Sequence, residues 1–182
     1  AFSIMTESKK ENSNDDPSGE ASEDADSKKR KLYVGLDLGT LQSCILSRLS
    51  KPGSEENHGT LVPTVVGYPE DGILAGILPG NAKMLHGDEA LANELHLRLV
   101  HPLSDGVVSD LDATKSFLGY LREKVDPERK REVYCVIGIP AVADGDAKDN
   151  LKKAAKGAFD GILFIPEPFL AALGMRDEEK LG

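Results

Sequence analysis

The pattern of apolar and polar positions changes sharply near residue 31. Residues 1–30 hold almost no large apolar side chain after Met5 and are rich in Ser, Asp, Glu, Lys and Asn. Such a segment cannot bury enough surface to offset chain entropy, and a disordered acidic tail is expected there. Residues 32–38 then predict a first strand and 43–49 a second, with Gly39-Thr40-Leu41-Gln42 as the hairpin linker. PGSEENHG (52–59) predicts a turn region. LVPTVVGY (61–68) predicts a strand whose Pro63 suits an edge or a strand start. Residues 71–80 are Gly-rich and irregular, and Leu91, Leu95 and Leu99 at i, i+4 and i+8 predict a short helix over 87–99.

After the loop HPLSDGVVSD (101–110), a helix is expected over 112–125. Phe117, Leu118, Leu121 and Val125 form its apolar stripe, and Pro127 lies beyond its end. VYCVIGI (133–139) is apolar throughout, the mark of a strand covered on both faces. A helix over 146–159 turns Ala147, Leu151, Ala154, Ala155 and Phe159 inward. Residues 161–165 return as a second buried strand, and Pro166-Glu167-Pro168 opens a final helix, FLAALGM. The later strand–helix–strand unit implies a parallel pair with a right-handed crossover. The fold class is α/β, a mixed sheet flanked by helices.

Composition narrows the function classes. The 182 residues allow one domain, or one domain plus a tail. With 31 acidic against 22 basic residues the net charge is −9. That argues against nucleic-acid binding and against a polybasic membrane patch. Lys28-Lys29-Arg30 is too short to change this. No apolar run approaches the about 18 residues of a transmembrane segment, and AFSIM lacks the flanks of a signal peptide. Cys44 and Cys135 lie far apart in apolar runs and are expected to be reduced core thiols of a cytosolic protein, with a single disulfide between them as the alternative. His58, His86, His96 and His101 show no metal-ligand spacing and read as surface or loop residues. The chain opens on Ala and closes on EEKLG without a closing element, and is expected to be a piece of a longer one.

Two carboxylates carry candidate chemistry. In YVGLDLGT (33–40) an apolar strand reaches Asp37, passes one residue and stops at Gly39-Thr40. A hairpin tip of small residues presents backbone N–H groups that can hold phosphate oxygens, and Thr40 and Ser43 add hydroxyl donors. An acid beside phosphate needs a cation between them, and Mg²⁺ held through water by Asp37 supplies one. The residues alone equally allow an Asp37 that only caps the turn. Glu167 follows a buried strand at a helix start, where α/β sheets place ligands. It can orient a water for attack on phosphate, or act only as a favourable charge at a helix N-terminus. Lys83 can reach a phosphate from the irregular region, but reads more simply as solvated.

In combination, YVGLDLGT, TVVGYPED, PLSDGVVSD, GDEA, VIGIPA and IPEPFLAALG resemble the N-terminal half of the actin/heat-shock-chaperone/sugar-kinase ATPase superfamily. The nearest look is to the bacterial actins, MreB-like and MamK-like. The resemblance covers about residues 31–175. It implies an actin-like ATPase domain of ribonuclease H-like build over 31–182, with 63–103 as an inserted subdomain and a second domain missing. It implies a Mg²⁺-associated Asp37, a phosphate loop of Gly39, Thr40 and Leu41, and a water-positioning Glu167. It also sets the 146–159 helix near the interdomain hinge.

ATP and Mg²⁺ are the implied cofactors, with self-association into cytoplasmic filaments. Such filaments would serve cell shape or magnetosome organisation, with cargo or adaptor proteins as further partners. Leu41 departs from the pattern, where a small or polar residue is common. A second phosphate loop, D-x-G-x-G-T, is expected just after Gly182, and so is an adenosine-binding segment; alone, residues 1–182 are expected to be inactive. The alternatives are a chaperone-type ATPase coupling hydrolysis to client binding and a binding half-domain without catalysis. A small-molecule kinase lacks a candidate base.

Overall fold

The computed structural model describes residues 30–48, 57–141 and 144–170. The acidic tail up to residue 29, the first part of the 52–59 turn region and the final helix beyond Leu170 lie outside the described residues. In chain order the elements are β1 (Arg30–Leu38), β2 (Gln42–Arg48), β3 (Asn57–Pro63), β4 (Val66–Pro69), β5 (Leu85–His86), α1 (Gly87–Ala92), β6 (Leu97–Val100), β7 (Leu103–Ser104), β8 (Val107–Val108), α2 (Leu111–Val125), β9 (Arg131–Ile139), α3 (Gly145–Ala155) and β10 (Gly161–Pro166). A last helix opens at residues 167–170.

Five strands form the main sheet in the order β10-β9-β1-β2-β3. The hairpin β1–β2 and its neighbour β3 pair antiparallel, while β9 and β10 join β1's other side in parallel. Alternation along β1 sends Leu32, Val34, Leu36 and Leu38 to one face. There they meet Val133, Cys135 and Ile137 of β9, Phe117, Leu118 and Leu121 of α2, and Ala154 and Ala155 of α3. Phe117 has no exposure at all; a side chain of that size contributes about 1.5–3 kcal/mol by its burial. Asp110 caps α2 and Asp144 caps α3, each accepting the N–H three residues on at 2.8 Å.

The opposite face of the sheet is more open among the described residues. Tyr33, Leu46, Leu61 and Leu163 are exposed on the sheet strands, and Tyr134 and Val136 are only half-buried. Both α2 and α3 pack on one face; on the other, the start of the last helix reaches β9, with Leu170 beside Gly138. The expected helix over 87–99 is also corrected. It stops at Ala92, a 3-10 turn covers Glu94–His96, and β6 follows. Leu91 and Leu95 are exposed, whereas Leu97 is buried. The leucine spacing mimicked a helical stripe, but the burial there follows the alternation of a strand.

β4, β5 and β6 build a separate three-stranded sheet in the order β5-β4-β6. It has its own core of Val65, Leu78, Leu85, Ala90 and Leu97. The predicted strand over 61–68 therefore divides. Its first half ends at Pro63 in the edge strand β3 of the main sheet, and its second half begins β4 in the small one. His86 departs from the expected surface role as well. It stacks on Tyr120 of α2 at 4.9 Å between ring centroids, and its Nε2 hydrogen-bonds Ser116 Oγ at 2.7 Å. Burial pushes its pKa below the ordinary value, against the pull of Glu123 and Glu89.

A buried ion pair ties α2 to β9. Asp126 accepts from Arg122 Nη1 at 3.1 Å and from the Arg131 N–H at 2.9 Å, and Arg122 Nη2 donates to the Arg131 carbonyl at 3.0 Å. Burial alone would raise the Asp126 pKa, but the Arg131 N–H, the Arg122 guanidinium and the Lys130 N–H outweigh it and hold the carboxyl below its ordinary value. The folded state thus binds fewer protons there than the unfolded chain, whose carboxyl titrates at about 3.9. Asp126's contribution is full above that value and is lost as pH falls through the folded pKa. Urea melts between pH 6 and pH 3 are expected to show a midpoint that drops with acid. Asp126→Asn should be less stable at pH 6 and show a shallower acid dependence; an unchanged slope would remove Asp126 as its source.

Candidate functional site

β1, β9 and β10 run parallel, so their C-terminal ends lie along one edge of the sheet. Asp37 is the penultimate residue of β1, and Glu167 is the first residue after β10. Both line one open cleft of about 540 Å³ on the sheet face that α2 and α3 leave uncovered. Two glycines make the floor between them. A side chain at Gly35 would meet no atom within 4 Å and would project into the cleft. One at Gly138 would press on Leu170 at 3.3 Å and on the Glu167 Cγ at 3.5 Å. Gly138 thus lets the start of the last helix settle against β9 and holds Glu167 over the floor. Among the described residues, no ion pair engages either carboxylate.

The turn after β1 is held from two sides. Thr40 Oγ1 accepts the N–H of Gly106 at 3.1 Å, and the Leu41 carbonyl accepts the N–H of Thr64 at 2.9 Å. Gly106 lies in the β7–β8 hairpin, where Asp105 and Gly106 both take positive φ (50° and 76°). A hydroxyl that accepts from Gly106 still has its own O–H to donate. The turn residues are not among those lining the cleft, which Asp37, two residues before Gly39, borders. Leu41 itself is 72% exposed, so its side chain does not close the turn. At Gly39 a Cβ would fall 2.3 Å from the Gln42 carbonyl oxygen, so only glycine allows this closure.

Ser43 stands apart from the other expected phosphate contacts. It has no exposure, and its hydroxyl shares a 2.8 Å hydrogen bond with Thr64 Oγ1. It follows the alternation of β2 onto the buried face, whereas Cys44 faces the cleft opposite Asp37. Cys135 is on the buried face, and its burial pushes the thiol pKa up to about 12. The two cysteines are free and on opposite faces of the sheet, a geometry that a disulfide cannot bridge. Lys83 is exposed and does not line the cleft.

Sequence reasoning missed Gly35, Gly138, Gly106 and Thr64. For the first two a signal existed: a glycine inside an apolar strand often marks close approach by a ligand or backbone.

The donor set suits a magnesium nucleotide. Among the described residues no group of three His, Cys, Asp or Glu could grip a metal. A cation here would rest on one carboxylate, water and phosphate oxygens, which is how Mg²⁺ is commonly held. Also among the described residues, no helix is long and apolar enough to cross a membrane.

Comparison with known proteins shows the family. The family description "MreB/Mbl protein" matches residues 31–178. Actin-like protein MamK of Magnetospirillum gryphiswaldense is 32% identical over 152 residues, which is 81% of this chain and 40% of that protein. A MamK double helical filament superposes with a TM-score of 0.70 at 30% identity, over 81% of this chain and 44% of that one. A non-polymerising MamK mutant bound to AMPPNP superposes with a TM-score of 0.68 at 30% identity over the same shares. The architecture is therefore that of an actin-like ATPase domain, a mixed sheet flanked by helices. The chain belongs to the MreB/Mbl family of bacterial actin-like proteins and corresponds to its N-terminal part. It spans 40% of the length of the curated relative just described.

Proposed function

We propose that this chain is the N-terminal part of a cytoskeletal ATPase that binds Mg-ATP and assembles into filaments. The observation that carries the reading is the cleft itself: Asp37 and Glu167, 130 positions apart in the chain, line one glycine-floored opening at the C-terminal ends of parallel strands. In this reading the Gly39–Leu41 turn and the Thr40 hydroxyl bind phosphate oxygens, Asp37 holds the hydration shell of Mg²⁺, and Glu167 orients the attacking water. Phosphoryl transfer to water needs positioning and charge neutralisation rather than a covalent nucleophile. Residues 31–62 and 104–182 form the core subdomain, 63–103 the inserted one, and a second domain closes the cleft in the full-length protein. Hydrolysis is assigned to that full-length protein, not to residues 31–182 alone.

Filament growth is a heterologous head-to-tail contact that does not close on itself. A MamK relative has a filament structure and a MamK mutant a nucleotide-bound one, which supports filament assembly and nucleotide binding here. Organising magnetosomes or cell shape in the cytoplasm, with cargo or adaptor partners, is the cellular role proposed. The chaperone alternative draws no support from these relatives. High-speed sedimentation of the full-length protein tests the reading. The pelleted fraction is expected to rise several-fold with Mg-ATP and to stay low with EDTA. Equal pelleting in both would overturn it.

A further inference from the structure

Thr64 lies in the two-residue step between β3 and β4, where the chain leaves the main sheet for the small one. It has no exposure, and each of its polar groups is spent on a different tie. Its N–H donates to the Leu41 carbonyl at 2.9 Å, and its hydroxyl shares the 2.8 Å bond with Ser43. Its carbonyl lies 3.2 Å from His101 Nδ1. A carbonyl only accepts, so that nitrogen carries the hydrogen. Leu41 and Ser43 belong to the turn and the strand after it; His101 lies on the return path, one residue past β6. The His101 carbonyl in turn accepts from Ser109 Oγ at 2.8 Å, just after β8. One buried residue therefore joins the turn to both chain crossings into the small sheet.

Packing volume does not explain a threonine there, because valine has the same shape. Polarity does: the hydroxyl bond to Ser43 is the one tie that valine could not make, and it fixes β2 beside the backbone bond by which the Thr64 N–H holds the Leu41 carbonyl. Separating the turn from the crossing would orphan buried polar groups, so the two are bound to shift together. We propose that Thr64 is a positioning residue for the phosphate turn and that through it nucleotide at the turn orders the small sheet. This rests on the reading of the Gly39–Leu41 turn as a phosphate site.

The test uses the full-length protein as wild type, Thr64→Val, Thr64→Ser and Ser43→Ala, each checked for folding by circular dichroism. AMPPNP affinity is measured together with hydrogen exchange of the amides of residues 85–100, with and without AMPPNP. In the wild type AMPPNP is expected to slow exchange in that segment. Thr64→Val and Ser43→Ala are expected to weaken AMPPNP by about 10-fold, the loss of one well-placed hydrogen bond, and to abolish the slowing. Thr64→Ser should retain both. If Thr64→Val does not fold, Ser43→Ala removes the same bond from the other side and decides the matter. Folded variants that keep wild-type affinity and slowing would overturn the proposal, as would a Thr64→Ser that loses them. A wild type that binds AMPPNP with no slowing at 85–100 would overturn the coupling and leave the cleft reading standing. A wild type that binds no nucleotide would overturn both.

Discussion

Replacing Glu167 with Gln in the full-length protein is expected to lower single-turnover ATP hydrolysis by about 10²-fold, the lower end of what a positioned acid–base group contributes. The lower end applies because phosphoryl transfer to water asks for orientation more than for proton abstraction. Glutamine keeps the size and one acceptor oxygen but loses the charge. AMPPNP affinity should change little, since the role proposed for Glu167 is to orient the water rather than to bind the phosphates. The side chain is exposed and lines the cleft, so the substitution leaves the core alone and a folding defect does not confuse the result. Hydrolysis at the native rate would remove Glu167 from the site.

Gly39→Ala is expected to act differently, on binding and stability together. The added Cβ would lie 2.3 Å from the Gln42 carbonyl oxygen, a contact with backbone that no rotamer can relieve. The turn must open, at a cost of about 1–3 kcal/mol typical of overpacking. Opening it moves Thr40 from Gly106 and Leu41 from Thr64, the two bonds that fix the turn. Affinity for AMPPNP is expected to fall by more than about 10-fold, a loss of some 1.4 kcal/mol. Calorimetric titration and a thermal melt read the two effects separately. Unchanged affinity in a folded Gly39→Ala protein would exclude the turn from phosphate binding.

Much of the fold was legible along the chain. The apolar run that reaches Asp37 and stops at Gly39-Thr40 announced β1, and the stripe Phe117, Leu118 and Leu121 announced α2. These signals are local, because burial on one face imprints a period on the sequence. The 87–99 segment was misread for the same reason: three leucines four apart satisfy a helical period whether or not a core lies beneath them. Asp37 and Glu167 were legible as acids at strand ends, and the Gly39 turn as a tight one. Ser43 was not, since a hydroxyl beside a glycine turn reads alike whether it faces ligand or core.

By itself the sequence determined most strands and helices, though not the 87–99 segment or the division of 61–68, and it determined where the tight turn falls and which acids stand at strand ends. Tertiary structure alone decided that β9 joins β1 on the side away from β2, and that α2 and α3 take the same face. It thereby left Gly35 and Gly138 as a shared floor beneath Asp37 and Glu167. It also decided that Ser43 and His86 turn inward and that Thr64 joins the turn to the small sheet. The reason is that hydrophobic period reports one element at a time. A cleft depends on the order and register in which separate elements meet, and residues far apart in the chain leave no local mark of their meeting.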